Sequence, residues 1–288
     1  MSRLDFNKRT AAHDFDGCLV MPSPEIPEIL RRGVKCRACG KTHESTIDPK
    51  KILEGGSILN ICLSHGTIMP GEVRLYDWLF PRIKAGGLTK LEFFRLGLLN
   101  AFQKLGSYDC AIDWITQTMV ARPGAKELLT ALDEAGVQNV IISNNVDETL
   151  RRLIAHYFGD TLSKDTALFS NRLVGDYSSP FSLDILGYEQ PGFDGRNGVP
   201  KDWAAKQFGE NLVLVSGDEG GFGDGPMAKV AIGLPNAHVL CTGFQDELGL
   251  HTFMVEHCNE LGHGHDRVHF ATDFREFMPA LTKAGILA

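Results

Sequence analysis

The sequence predicts an α/β protein in which a parallel sheet is covered by helices on both faces and a second, mostly helical domain is inserted after the first strand. Three observations predict it. Apolar runs of strand length alternate with helix-length amphipathic stretches through residues 122–288, the pattern of a parallel sheet buried on both sides. Asp14, Ser143 and Asp218 each stand at an expected carboxyl end of a strand, the edge at which sites of such sheets lie. About a hundred residues separate the first strand from the next recognisable unit, far more than a strand-to-helix loop needs.

Thr10–His13 is the first strand. It is less apolar than the later ones and runs into Asp14-Phe15-Asp16-Gly17, two carboxylates two residues apart with a glycine behind them. Strand side chains alternate faces, so both carboxylates reach one rim only where the chain turns sharply, as Gly17 allows. The stretch from Pro22 to Gly87 is rich in Pro, Gly and Cys, and two amphipathic helical stretches follow, Leu91–Leu105 and Tyr108–Val120. Phe93, Phe94 and Phe102, at helical spacing, are expected in the core of this insertion.

Arg122-Pro123-Gly124 opens a helix over Ala125–Leu132 that Gly136 closes, proline early and glycine late. Val137–Ile142 is a buried strand ending in Ser143-Asn144-Asn145. Asp147 and Glu148 suit the first turn of the next helix, whose apolar stripe is Leu150, Leu153, Ile154 and Phe158. A short helix is expected over Pro200–Phe208. Leu212–Ser216 is the clearest buried strand and leads into Gly217-Asp218-Glu219-Gly220-Gly221-Phe222-Gly223-Asp224-Gly225-Pro226. A helix from Met227, strands at Ala237–Cys241 and Val268–Ala271, and a last helix burying Phe274, Phe277, Met278 and Leu281 complete the reading. The domain boundaries that follow are 1–21 with 118–288 for the core and 22–117 for the insertion.

The 288 residues are 43% hydrophobic and 23% charged, ordinary for a globular protein with one large or two smaller domains. No apolar run approaches the ~20 residues of a membrane span, and the opening residues lack the apolar stretch of a signal peptide, so a cytoplasmic protein without membrane association is expected. A net charge of −7 with no basic block argues against general nucleic-acid binding. An anionic substrate remains compatible, because a metal ion, one Lys and backbone N–H groups hold phosphate inside an acidic protein. Seven cysteines in a long chain of this kind point to reduced thiols.

Taken together, Asp14-x-Asp16 after the first strand, Ser143 after the second, Lys201 at a helix start, and Gly217-Asp218 with Asp224 after the third closely resemble the four motifs of the haloacid dehalogenase-like superfamily, chiefly its phosphatases. The resemblance covers roughly residues 10–20 and 120–288 and implies a Rossmann-like core. It implies that Asp14 attacks phosphorus to form an aspartyl-phosphate and that Asp16 is the general acid and base. Ser143, with Asn144 and backbone N–H groups, would bind the phosphoryl oxygens. Lys201 would offset their charge, with Lys206 as its rival. Asp218, with the Asp14 side chain and the Asp16 carbonyl, would hold Mg²⁺, and Asp224 would be a second acidic anchor. Asp224 is either a ligand through water or a holder of Lys201, and Glu219 is its rival as the second acid. The sequence departs from the family in carrying Cys18 where Thr is common and in a glycine-rich extension, Gly220-Gly221-Phe222-Gly223.

A second signal lies in the insertion. Cys36-x-x-Cys39 and Cys62-x-x-His65, each followed by Gly, have the spacing of a tetrahedral Zn²⁺ site, with His43 as an alternative ligand. A structural zinc module over residues 34–68 is expected, since so small and Gly-rich a segment needs a staple. With four protein ligands the ion would have no open position for catalysis. His251, His257, His263, His265 and His269 show no regular ligand spacing and are expected to be solvated or satisfied.

The resulting expectation is a Mg²⁺-dependent phosphatase for a small phosphorylated metabolite, with an insertion placed as in relatives similar to phosphoserine phosphatase. The alternatives are a nucleoside 5′-monophosphate phosphatase, a phosphotransferase of the same fold, and a non-catalytic binding protein that uses its zinc module. A homodimer is left open.

Overall fold

Residues 4–43, 68–69, 73–74, 82, 85–177, 179, 182–188, 198–243, 249–262 and 264–288 are described by the computed structural model. In chain order the strands are β1 (Thr10–His13), β2 (Val20–Pro22), β3 (Val34–Lys35), β4 (Thr42–His43), β5 (Ile68–Met69), β6 (Val73–Arg74), β7 (Met119–Ala121), β8 (Gln138–Val146), β9 (Ala167–Val174), β10 (Asp184–Leu186), β11 (Leu212–Gly217), β12 (His238–Cys241) and β13 (Val268–Phe270). Seven of them form one sheet in the order β10-β9-β8-β1-β11-β12-β13. All neighbours pair in parallel except β10, which runs antiparallel to β9 at the edge. β1 is central, flanked by β8 and β11, so Asp14 and Asp218, each just past a strand end, and Ser143 within β8 come from adjacent strands.

The period of two along each strand sorts the core into two layers. Ala11, Ile141, Leu214 and Leu240 face one layer, filled by the helices Ala125–Glu134 and Asp147–Phe158 and by Phe274–Leu287. Ala12, Val140, Ile142, Val215 and Val239 face the other, filled by the helices Lys201–Lys206, Gly225–Ile232 and Leu250–Leu261.

The polar ends of β1 are buried and satisfied. Thr10 Oγ1 donates to Lys8 O at 2.9 Å. The His13 ring bridges its neighbours, Nδ1 to Ser216 Oγ at 2.8 Å and Nε2 to Asn139 Oδ1 at 3.2 Å. An amide oxygen only accepts, so Nε2 carries the proton and Nδ1 accepts from the serine hydroxyl. Asn139 Nδ2 in turn donates to Leu129 O at 2.9 Å. The low apolar content of this strand is thus compensated by cross-strand hydrogen bonds.

The insertion leaves the core along β2 and returns along β7, an antiparallel ribbon in which Val20 faces Ala121 and Pro22 faces Met119. Its first long helix, Lys90–Leu105, opens on a Thr89/Glu92 capping box. The second, Tyr108–Thr118, has Ser107 as N-cap, the hydroxyl accepting from Cys110 N. Phe102 is buried edge-on against Tyr108 at 5.2 Å between ring centroids. The side chains of Phe93 and Phe94 lie outside the described residues. Tyr108 and Thr149 hydroxyls meet at 3.0 Å and Arg152 pairs with Asp109, which docks the second helix on the core helix Asp147–Phe158.

Several elements differ from the sequence reading. β8 runs on to Val146, past Ser143. β9, β10 and the helices Asp160–Asp165 and Leu250–Leu261 were not expected. β9 hides because Ser170, Asn171 and Arg172 interrupt its apolar run. The helix Leu250–Leu261 buries a narrow stripe of Leu250, Met254 and Cys258, diluted in sequence by His251, Thr252, His257 and Asn259. The six described cysteines are free thiols. No helix among the described residues is long and apolar enough to cross a membrane.

Burial lowers the His13 pKa to about 4, against the hydrogen bond to Asn139 Oδ1 that raises it. The folded chain keeps this ring neutral while the unfolded chain protonates it near pH 6.5. Its contribution is therefore intact above pH 6.5 and is lost as pH falls from there toward 4, on the order of 3 kcal/mol in all. Denaturant unfolding of wild type and His13→Gln should show a larger loss of stability across that window in wild type than in the variant. Parallel pH dependences would refute the assignment.

Candidate active site

The sheet brings Asp14, Lys201, Asp218 and Asp224 together at the carboxyl ends of β1 and β11. The register pairs His13 with Ser216, and Asp14 N donates to Ser216 O at 2.9 Å, so the ladder holds the Asp14 backbone. Lys201 Nζ lies 2.8 Å from Asp14 Oδ1 and 2.6 Å from Asp224 Oδ1, with all three side chains buried. Pro200 precedes Lys201 and places it in the first turn of its helix. Lys206, the rival, is exposed and paired with Asp202.

Asp224 is delivered by a π-helical turn, Gly220–Asp224, which the glycine-rich extension forms. The turn bends back so that Asp224 Oδ2 accepts from Asp218 N at 2.8 Å and Glu219 N at 3.3 Å, while Oδ1 holds Lys201. Asp224 is fully buried against Lys201, whereas Glu219 is exposed.

Close packing around the carboxylates explains the glycines. Gly17 has φ +79°, and a Cβ there would lie 2.1 Å from Asp218 Oδ2. A Cβ on Gly217 would lie 2.3 Å from Asp224 Oδ2. Arg122 braces the Asp14–Gly17 turn from below, its Nε donating to Cys18 O at 2.7 Å and its Nη2 to Gly17 O. Cys18 is buried, its thiol donating to Ser216 Oγ at 3.3 Å.

Asp16 sits on the rim, accepting from Asn145 Nδ2 at 3.2 Å. Its Oδ1 is buried with no hydrogen-bond partner among the described residues. Ser143 Oγ accepts from Asn145 N at 3.1 Å, which leaves its O–H to donate. Asn144 makes a tertiary contact beside it. Its Oδ1 accepts from Val199 N at 2.9 Å and so ties β8 to the segment leading into Lys201. Asn145 and Arg122 were missed as site residues. Both were visible, one beside Ser143 and the other before Pro123, but nothing in their spacing says which way they point.

The electrostatics are those of a site short of positive charge. Burial, then the Asp224 charge, raise Asp14 to about 8 against the pull of Lys201. Burial raises Asp16 to about 7, moderated by the hydrogen bond from Asn145. Burial also pushes Asp218 well up, with Asp224 and Asp14 adding to it. The two aspartates raise Lys201 against its own burial, so it stays an ammonium. One oxygen from each of Asp14, Asp218 and Asp224 lies within 4.8 Å of the others. This donor set of hard carboxylate oxygens fits a hard divalent cation.

The family model described as haloacid dehalogenase-like hydrolase matches residues 8–180. The chain belongs to the haloacid dehalogenase-like hydrolases. The match spans the aspartate pair, the insertion and Ser143 of this haloacid dehalogenase-like chain; Lys201, Asp218 and Asp224 join them through the sheet. Among solved structures the chain is similar to a HAD family hydrolase from Deinococcus radiodurans R1 with bound phosphate and sodium, at 19% identity, 99% of each chain and TM-score 0.47. It is also similar to a phospho-aspartyl intermediate analogue of phosphoserine phosphatase, at 16% identity over 95% of this chain and 99% of the other, TM-score 0.44. A third is cytosolic 5′-nucleotidase IIIB bound to cytidine, at 13% identity over 97% and 87%, TM-score 0.45. No curated protein matches the chain.

A methyl group at Gly17 meets both a left-handed backbone and the Asp218 carboxylate. Gly17→Ala should cost about 1–2 kcal/mol of stability. Its hydrolytic kcat should fall roughly 10²-fold through displacement of Asp218. Thermal unfolding and kcat measured together check this, and an unchanged rate would show that Asp218 is not held where the chemistry needs it.

Proposed function

We propose that the chain is a Mg²⁺-dependent phosphatase that hydrolyses a small phosphomonoester through an aspartyl-phosphate on Asp14. The observation that carries the reading is the buried Lys201 ammonium between Asp14 and Asp224, beside Asp218, at adjacent strand ends. A carboxylate held by a lysine in this way is oriented for attack, and the lysine offsets charge as phosphate approaches.

Asp14, Asp218 and the neighbourhood of Asp16 would hold Mg²⁺, with Asp224 fixing Lys201 and the Asp218 backbone. When bound, the ion screens the carboxylates and polarises the phosphoryl oxygens. The Asp14 carboxylate forms an O–P bond as the bond from phosphorus to the leaving oxygen breaks, and Asp16 gives that oxygen its proton. Asp16 then takes a proton from water, which attacks phosphorus and frees Asp14. The Ser143 hydroxyl and the N–H groups opening the helix Asp147–Phe158 would receive the phosphoryl oxygens. The insertion, rooted on the β2–β7 ribbon, would shield the site and favour small substrates. We place in it a second, structural metal ion, zinc.

Screening phosphorylated metabolites with Mg²⁺ tests the reading. Asp14→Asn and Lys201→Met should each lower phosphate release by at least about 10³-fold. Chelation should abolish release and added Mg²⁺ restore it; release that survives Asp14→Asn undiminished would refute the nucleophile. Asp16→Asn should slow alkyl phosphates far more than aryl phosphates, whose leaving groups need little protonation. Equal losses in kcat/KM, which reports the attack by Asp14 and not the later hydrolysis, would remove Asp16 as the acid. Phosphate appearing on an added alcohol instead of in water would identify a phosphotransferase.

A further inference from the structure

The expected zinc ligands Cys36 and Cys39 lie in the hairpin of β3 and β4, whereas Cys62 and His65 lie outside the described residues. Two other donors meet the hairpin cysteines. His43 stands at the end of β4, and Cys110 projects from the first turn of the helix Tyr108–Thr118. One ligand atom from each of Cys36, Cys39, His43 and Cys110 lies within 4.8 Å of all the others. The Cys39 Sγ to His43 Nε2 distance is 3.7 Å. Tetrahedral zinc with Zn–S of about 2.3 Å and Zn–N of about 2.0 Å requires roughly 3.6 Å between those atoms.

The backbone is shaped for the task. Cys36 N donates to Lys41 O at 2.8 Å, and Gly40 N donates to Cys36 O at 2.9 Å with Gly40 at φ +73°. This tight turn brings both cysteine side chains to one side of the loop. The hairpin already lies on the helix through Arg37, whose backbone N donates to Asp113 Oδ2 at 2.7 Å and whose Nη2 donates to Thr116 Oγ1 at 2.9 Å. Gln117 Nε2 closes the far end on Lys35 O at 3.1 Å. Cys36 and Cys110 are buried, so a metal between them would be shielded on that side, with Cys39 at the exposed face.

We propose that Cys36, Cys39, His43 and Cys110 form a closed tetrahedral zinc site that clamps the β3–β4 hairpin to the helix Tyr108–Thr118. The ligand set rests on the reading that the insertion holds zinc, and replaces Cys62 and His65 by His43 and Cys110. Three thiols lose their protons on binding and the imidazole stays neutral, with no redox change. The same helix is docked on the core helix Asp147–Phe158 by Tyr108 and Asp109, so the ion ties the start of the insertion to its end and, through that end, to the core. The four protein ligands leave no open position, and the role is structural.

The test uses the full chain, purified under reducing conditions without chelator. Metal analysis should find about one zinc per chain. Cys110→Ser and His43→Ala should each lose most of it, whereas Cys62→Ser and His65→Ala should keep it. Because Cys110→Ser also disturbs a buried contact, wild-type protein gives an independent readout. Alkylation with and without chelator, mapped by mass spectrometry, should show Cys36, Cys39 and Cys110 protected by the metal and Cys62 equally reactive in both states. Zinc whose removal exposes Cys62 but not Cys110 would overturn this ligand set and leave zinc in the insertion intact. Protein purified in this way without zinc, its thiols equally reactive with and without chelator, would overturn both.

Discussion

The site depends on one buried ammonium. Lys201 reaches Asp14 and Asp224 at hydrogen-bond distance, away from water, where each contact is electrostatically stronger than at the surface. Removing it would leave two carboxylates buried without a cation, a far larger penalty than losing an exposed ion pair. Even with it, Asp14, Asp218 and Asp224 outnumber the positive charge, and burial raises Asp14 and Asp218. The proposed Mg²⁺ is the natural complement of that deficit. The same geometry makes the apo site protonate readily, so metal binding and proton release are coupled.

The fold exists to hold that arrangement. β1 is short, but it lies between β8 and β11, so three strand ends meet at one rim. Its polar ends are bonded into the neighbouring strands through His13, Asn139 and Ser216, which ties the Asp14 turn to both neighbours. Small residues complete the approach. At Gly17 and Gly217 the carboxylates occupy the space that a side chain would fill, and Arg122 anchors the carbonyls of the turn. Asp224 arrives by a π-helical turn, a local departure from regular helix of the kind that gathers at functional sites. The insertion enters and leaves on an adjacent two-stranded ribbon, Val20–Pro22 against Met119–Ala121, so it grows out of the same rim.

Much of this was legible in the sequence because chemistry and periodicity agreed. The apolar runs leading to Ser143 and Asp218 marked two strands, the Asp14-x-Asp16 pair marked the short polar-ended one, and Lys201 was placed by the proline before it. Asp224 was visible, but the π-turn that buries it and leaves Glu219 exposed is specified by no glycine count. Asn144 and Asn145 are neighbours of the same type, and only the course of β8 turns one toward Val199 and the other toward Asp16. β9 escaped because buried Ser170 and Asn171 and exposed Arg172 interrupt its apolar run, and the helix Leu250–Leu261 because polar residues dilute its buried stripe. The cysteine cluster shows the limit most clearly. Cys36-x-x-Cys39 is a local signal, whereas Cys110 comes from a helix 71 positions beyond Cys39, and such a pairing is set by tertiary packing rather than by spacing.

The central claim is that Asp14 carries the phosphoryl group while Lys201 holds it. Trapping that species is the most direct measurement. The enzyme is acid-quenched during turnover, reduced with borohydride, which converts an acyl phosphate to an alcohol, and mapped by mass spectrometry. The account predicts homoserine at position 14 that appears only with substrate and Mg²⁺. Steady turnover with residue 14 unmodified, or a phosphoryl group found on another side chain, would contradict it.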